Sequence, residues 1–249
     1  IFLEREGLLE PFRTAAAERV RAGYRSRTDS WTGFAARARV LLVNRDILPE
    51  AAERPLSIQD LADPRWRKKT AFARPFFGTT KTHFLVLYQH WGKSRSRQFF
   101  TELRRNAIMV DGNKQVAVAV ARGQVAFGLT DTDDAIVEIE QGAPVVMVFP
   151  DQQPEAIGSL FIPNTVALIR GGPNPEQGRK LIDFLVSDAT ESLLAAGASA
   201  QFPVLAGSTK SRIHPQGDLH WMEVDFEAVA DAAEEGMELL LDIFYESPD

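Results

Sequence analysis

The stretch "GNKQVAVAVARGQVAFGLTDTDDA", residues 112–135, decides the fold of this 249-residue chain. Its first part starts at a glycine and an asparagine and stops at Gly123, which predicts a helix with Asn113 near its N-cap. The apolar run "QVAFGLT" is typical of a buried strand. The segment "DTDDAIVEIEQG" then predicts a second helix that closes at Gly142. Helices that alternate with strands in this way favour an α/β fold.

The same alternation continues on both sides of this stretch. Further strands are predicted at "ARVLLVNRD" (Ala38 to Asp46), "TAFARPFF", "PVVMVFP" and the extended run "SLFIPNTVALIRG". Further helices are predicted at "GTTKTHFLVLYQHWG", "SRSRQFFTELRRNA", "NPEQGRKLIDFLVSDATESLLAAG" and "EVDFEAVADAAEEGMELLLDIF". We therefore expect an α/β fold with a largely parallel sheet.

The composition disfavours several classes of protein. The net charge of −6 argues against a duplex nucleic-acid binder, which usually carries a basic face. No apolar run approaches the roughly 20 residues that span a bilayer. The absence of cysteine excludes disulfides and thiolate metal sites. Phosphate-loop, nucleophile-elbow and zinc-protease motifs are missing, and the histidines are scattered, with His214 and His220 in a polar loop region.

Two predicted helix starts carry groups that suit an anion. Gly78, Thr79 and Thr80 offer backbone N–H groups, two hydroxyls and the positive end of the helix dipole. Asn113 can donate and accept through its amide, and Lys114 can face an anion. A simpler interpretation stays open for both, because Thr and Asn are common N-caps and a lysine is usually a solvated charge.

Two arginines stand at the entrance to the first long strand. Side chains two apart on a strand face the same way, so Arg37 and Arg39 would make one face doubly basic. Arginine binds carboxylates and phosphates through two parallel hydrogen bonds. Ion pairing with acidic neighbours is the simpler interpretation, and on local grounds we favour it.

Three carboxylates in four positions follow the strand "QVAFGLT". Asp131 or Asp133 could cap the next helix, and a carboxylate in the first turn is stabilised by the helix dipole. Alternatively, Asp131, Asp133 and Asp134 could hold a hard cation or an amine. The spacing is not that of a calcium loop, because Ile136 occupies the position that requires glycine.

Taken together, four stretches resemble a known family in their order and spacing, over roughly Gly33 to Val204. They are "GFAARARVLLVN", "LADPRWRKKTAFARPFFGTT", "GNKQVAVAVARGQVAFGLTDTDDA" and "IPNTVALIRGGPNPEQGRKLIDFLVS". They resemble the periplasmic substrate-binding proteins of ABC importers, in the branch of ferric-iron-binding proteins (extracellular solute-binding family 1). The resemblance implies a two-lobed, type II periplasmic-binding-protein-like fold with two hinge-crossing strands and a ligand in the cleft.

The resemblance also implies the boundaries of the lobes. Lobe one would comprise residues 1–38 and 162–206, and lobe two residues 39–161 and 207–249. Members of the family have further residues, including the first strands of lobe one, before the point where this chain starts. We therefore expect an incomplete lobe one in a chain that begins inside a longer protein, so no targeting conclusion follows from Ile1.

In the iron-binding relatives, a pair of tyrosines after the strand holds the ferric ion, and this pair aligns with Asp133 and Asp134. An anion that accompanies the metal rests on positions matching Gly78 to Thr80, Asn113 and Asp131. The arginine matching Arg37 lies at the cleft. Together with the local patterns, the resemblance leads us to expect a donor side and an acceptor side of one ligand site. The donor side is Arg37, Gly78, Thr79, Thr80, Asn113 and Lys114, and the acceptor side is Asp131, Asp133 and Asp134.

The function we expect is that of a non-catalytic receptor that needs no cofactor. It would capture iron(III) or another metal with a phosphate-like or carbonate-like anion, and deliver it to an ABC permease in the inner membrane. We expect a periplasmic or extracellular monomer, and a lipid anchor stays open. An organophosphate, phosphonate or amine is the alternative ligand. Two other classes are a Mg²⁺-dependent phosphohydrolase that uses the three aspartates, and a regulatory effector-binding domain.

Overall fold

The computed structural model of the chain describes residues 1–213 and 218–245, so His214 lies outside the described residues. The helices are α1 (Phe2–Arg5), α2 (Gly78–Asn106), α3 (Asn113–Ala121), α4 (Thr132–Glu140), α5 (Pro175–Leu185), α6 (Asp188–Ala196), α7 (Phe226–Asp231) and α8 (Ala233–Phe244). The strands are β1 (Leu9–Glu10), β2 (Thr32–Asn44), β3 (Thr70–Ala73), β4 (Ile108–Val110), β5 (Phe127–Asp131), β6 (Val145–Val148), β7 (Phe161–Val166) and β8 (Leu168–Ile169). Short 3₁₀ helices lie at Ala17–Arg19, Ala22–Tyr24, Ala51–Glu53, Ile58–Ala62 and Pro64–Trp66.

The chain divides into two units. The first comprises residues 1–37 and 161–217, and the second comprises residues 38–160 and 218–249. Strand β2 therefore begins in the first unit and continues into the second. In the described residues no helix combines the length and the apolar character needed to cross a membrane.

The second unit is built on a mixed sheet with the strand order β4-β3-β5-β2-β6. Strands β4, β3 and β5 are parallel, whereas β2 is antiparallel to both β5 and β6. The prediction of a largely parallel sheet is therefore wrong at β2. Helical connections link β3, β4, β5 and β6 in turn and keep these strands parallel, but no crossover helix leads into β2.

Helix α2 is divided into two helical parts, as predicted. Its backbone leaves the helical conformation at Gly92, where φ is 75° and ψ is 171°. Glycine adopts such a positive φ without the steric cost that a side chain would add. The prediction of a helix that stops at Gly92 and a second helix after it is confirmed.

The core of the second unit combines the sheet with aromatic side chains of α2 and α8. The rings of Phe84 and Phe100 lie 4.8 Å apart, and Phe244 packs against both. Gly236 allows α8 to approach closely, because a Cβ there would lie 2.7 Å from Leu85 Cδ2. The C-terminal helix thus covers α2 and completes this core.

In the first unit, a buried glutamate joins separate segments. Glu191 of α6 accepts hydrogen bonds from Ala35 N at 2.9 Å and from Val204 N at 2.8 Å. Burial raises the pKa of Glu191, and the backbone N–H groups oppose that rise. The segment 207–213, which the sequence assigned to lobe two, bonds here instead: Ser211 Oγ donates to Ala200 O at 2.6 Å.

One glycine sets the distance between β5 and the helices beside it. A Cβ on Gly128 would lie 2.5 Å from Val116 Cγ1 and 2.8 Å from Ala71 O. Only a residue without a side chain allows α3 and β3 to pack this closely on β5. Gly128 therefore positions the start of α3 relative to the end of β5.

We expect Gly128→Ala to destabilise the protein by about 1–3 kcal/mol, because an added methyl overpacks this contact. Chemical denaturation monitored by circular dichroism would measure the change. Gly112→Ala is the matched control, since a Cβ there would meet only the end of the flexible Gln115 side chain. Equal stability of Gly128→Ala and the wild type would show that α3 has room to shift.

Candidate functional site

The last residue of β5, Asp131, has its carboxylate buried in the second unit. Asp131 is only 4% exposed and stands at the N-cap position of α4, yet its side chain makes no capping hydrogen bond. Instead, Asp131 Oδ1 accepts from Arg39 Nη1 at 2.6 Å. Of the two candidate caps, Asp131 or Asp133, Asp131 is thus not one, because Arg39 lies directly opposite it on β2 and its guanidinium pairs with the carboxylate.

Arg39 and Asp131 are the centre of a closed network of hydrogen bonds, the Arg39 cluster: Arg39, Thr79, Thr80, Asn113 and Asp131. Thr79 Oγ1 donates to Asp131 Oδ2 at 2.6 Å, and accepts from Arg39 Nη1 at 3.0 Å and Asn113 Nδ2 at 2.8 Å. Thr80 Oγ1 accepts from Arg39 Nη2 and donates to Asn113 Oδ1, both at 3.1 Å. Asn113 Nδ2 also donates to Asp131 Oδ2 at 2.9 Å. The cluster ties the starts of α2, α3 and α4 to β2.

This bonding limits what Asp131 can offer to a ligand. Its Oδ2 accepts two hydrogen bonds and its Oδ1 accepts one. A carboxylate oxygen has two lone-pair sites, so one site remains, on Oδ1. Asp131 can therefore supply at most a single ligand atom.

Asp133 and Asp134 extend the carboxylate group into the first turn of α4. One oxygen from each of Asp131, Asp133 and Asp134 lies within 4.8 Å of the others. Asp131 is buried, and the other two residues are half-buried. Carboxylate oxygens so arranged suit a hard cation, and the helix dipole stabilises their charges. The structure thus brings together the three aspartates that the sequence selected.

The remaining predicted site residues lie in different surroundings. Gly78 opens α2 with a φ of 62°, and its carbonyl accepts from Thr82 Oγ1. Lys114 is exposed and lines an open cleft beside β4, which contains no residue of the Arg39 cluster. Arg37 belongs to the first unit, where its Nη2 donates to Asn164 Oδ1 at 3.0 Å. A role for these three residues in binding stays a prediction.

Two residues at the site, Arg39 and His83, were not among the predicted site residues. Arg39, whose side chain is fully buried, organises the cluster, and the ion pairing with an acidic neighbour that its sequence context favoured is confirmed. The signal for Arg39 was its place between Ala38 and Val40 in a run too apolar for a solvated charge. His83, one turn after Thr80 on α2, is 2% exposed. No sequence motif distinguishes it from the other histidines.

We expect substitutions of Arg39 and Asp131 to have strongly non-additive effects on the free energy of unfolding. Arg39→Met or Asp131→Asn alone leaves a buried charge without its partner and should cost about 3 kcal/mol. The double variant leaves neither charge, so its cost should fall short of the sum by about 2 kcal/mol. Urea denaturation of the four proteins measures the coupling, and strict additivity would contradict it.

We expect His83 to make the protein sensitive to acid. Burial lowers the pKa of His83 well below its ordinary value, and the charge of Arg39 lowers it further. The unfolded chain takes up a proton below pH about 6.5 while the folded chain does not, so stability present above that pH is lost as the pH falls.

Between pH 7 and pH 5 the wild type should therefore lose up to about 2 kcal/mol more stability than His83→Leu. Denaturant midpoints at several pH values measure this difference. His90→Leu, at an exposed position of the same helix, is the matched control for replacing a histidine by leucine. If the stability of His83→Leu depends on pH as that of the wild type does, the pKa of His83 does not change on folding.

Comparison with known proteins places these observations in a family. Iron uptake protein A1 of Synechocystis sp. is 27% identical over 220 residues, which are 82% of this chain and 58% of that protein. A periplasmic protein of Salmonella typhi, provisionally named a 2-aminoethylphosphonate-binding protein, is 24% identical over 163 residues, 64% of this chain and 48% of that protein. The chain thus spans about half the length of these curated relatives.

Solved structures share the fold. The iron-bound protein HitA of Pseudomonas aeruginosa superposes with a TM-score of 0.85 at 20% identity, over 98% of this chain and 78% of that one. This likeness confirms the predicted fold class. A model of the bacterial extracellular solute-binding protein family matches residues 2–228. The chain belongs to the bacterial extracellular solute-binding protein family.

Proposed function

We propose that this chain captures a small cationic solute outside the cytoplasmic membrane and passes it to an ABC importer. The observation that carries the proposal is the group of three carboxylates within 4.8 Å at the start of α4, in a chain of this family. The family consists of solute-binding proteins, so a receptor accounts for the site without any catalytic step. The alternative of a Mg²⁺-dependent phosphohydrolase gains no support from it.

A hard metal ion, with iron(III) as the leading candidate, fits the site best. Carboxylate oxygens are the ligands that hard cations prefer, and the three aspartates offer only such oxygens. Relatives named for iron uptake or for ferric-ion binding support this choice. Two aspartates, Asp133 and Asp134, would replace the tyrosine pair expected from the resemblance.

An amine such as that of 2-aminoethylphosphonate is the second candidate, and the Salmonella relative's name favours it. The carboxylates would hold the ammonium group. The phosphonate, however, needs hydrogen-bond donors, and the side chains of Thr79, Thr80 and Asn113 already donate within the Arg39 cluster. This observation favours a simple cation over a zwitterion. Delivery to a permease and a monomeric state remain predictions.

Binding of metal ions to the protein tests the proposal. We expect iron(III), supplied as its nitrilotriacetate complex, to raise the melting temperature by several degrees at an excess of about 100-fold over the Kd. Asp133→Ala combined with Asp134→Ala should abolish this rise. The melting temperature of the metal-free variant should stay within about 3 °C of the wild type, since both residues are half-buried.

The matched control is Glu50→Ala combined with Glu53→Ala, which removes the same charge from exposed positions around another helix. This control should respond to iron(III) as the wild type does. Manganese(II), calcium(II) and 2-aminoethylphosphonate are tested in parallel. Equal metal binding by the aspartate variant and the wild type would place the site elsewhere. Failure of every cation and amine to stabilise the wild type would contradict the proposed function.

A further inference from the structure

The carboxylate of Asp131 occupies a position that is built to hold one negative charge. The N-terminal ends of α2, α3 and α4 are tied to it through Thr79, Asn113 and its own backbone. Helix starts carry partial positive charge and bind anions. A full positive charge is added by Arg39, which is wholly buried. A free anion would meet the same partners, but here a side chain supplies the charge.

The side-chain donors of Thr79, Thr80 and Asn113 are fully used. The hydroxyl of Thr79 donates to Asp131, the hydroxyl of Thr80 donates to Asn113, and both amide hydrogens of Asn113 are bonded. These side chains therefore have no donor hydrogen left for a phosphate or carbonate. They are also the residues that the resemblance assigned to an accompanying anion.

The charge balance supports the same conclusion. Asp131 pairs with the arginine at 2.6 Å, and one oxygen from each of Asp133 and Asp134 lies within 4.8 Å of its carboxylate. A cation at these oxygens would therefore meet three carboxylates that the protein itself supplies, without a dissolved anion.

We propose that Asp131 is a built-in anion, so that the site takes its cation alone rather than as a pair with a free anion. Asp131 determines this specificity, and Arg39 is the positioning residue that holds it in place. The inference rests on the proposed function for its cation. The expected ligand is then a cation without an accompanying phosphate-like or carbonate-like anion.

The first arm of the test removes the built-in anion and asks whether a dissolved one replaces it. Asp131→Ala leaves Arg39 without its carboxylate and should lower the melting temperature by several degrees. Sodium formate at about 100 mM should then raise the melting temperature of Asp131→Ala by about 3 °C or more above its effect on the wild type. Sodium chloride at the same concentration controls for ionic strength.

Three control variants show that formate acts at this position. Asp131→Asn fills the space and should gain nothing from formate. Asp131→Ala combined with Arg39→Met has no guanidinium to attract an anion, and should gain nothing either. Asp151→Ala vacates another buried carboxylate, which accepts from Ile58 N and forms no ion pair with an arginine among the described residues, so it should not respond.

The second arm measures binding of terbium(III), a hard cation whose luminescence reports carboxylate ligands, in buffer without phosphate or carbonate. The wild type should bind terbium(III) with the same affinity, within about twofold, with or without formate. Asp131→Ala should lose about tenfold or more in affinity and regain most of it in formate. This arm needs no unfolding measurement, so the wild type alone decides it if Asp131→Ala does not fold.

The outcomes separate the inference from the proposed function. Wild-type binding that requires an added anion overturns the built-in anion, as does a folded Asp131→Ala that gains neither stability nor affinity from formate. A different result contradicts the proposed function instead: the wild type does not bind terbium(III), while formate still stabilises Asp131→Ala. It then supports the built-in anion as a structural element.

Discussion

The buried contact between Arg39 and Asp131 is the interaction on which the site depends. Burying a guanidinium completely is costly unless its charge is paired and its N–H groups are bonded. Asp131, Thr79 and Thr80 pair the charge and bond both terminal nitrogens of Arg39, whereas its Nε is buried without a hydrogen-bond partner. These contacts bring the starts of α2 and α4 to one strand. A pair of this kind contributes little net stability against an apolar pair, so its value here lies in placing three carboxylates together.

Much of the fold could be predicted because its elements have local signals. The glycine stops at Gly92, Gly123 and Gly142 and the apolar runs between them marked helices and strands that the structure contains. The direction of β2 could not be predicted in this way. An apolar run of residues is the same in a parallel and an antiparallel strand, and only the register with β5 and β6 distinguishes them.

The grouping of the three aspartates could be predicted from the sequence, but the hydrogen-bond partners of Asp131 could not. Asp131, Asp133 and Asp134 were found because carboxylates after a buried strand are conspicuous. The opposition of Arg39 to Asp131 depends on strand pairing across 92 positions of sequence, which no local pattern encodes. The same pairing changes Thr79 and Asn113 from expected ligand donors into supports for Asp131.

The geometry of the Arg39 cluster also has an apolar determinant, Gly128. It lies three residues before Asp131 on β5 and touches Val116 of α3, the helix that begins at Asn113. A side chain at this position would push apart two segments whose polar ends must stay within 2.9 Å. Variation at a residue without a side chain would therefore change the separation of Asn113 and Asp131, and a search restricted to polar side chains would overlook it.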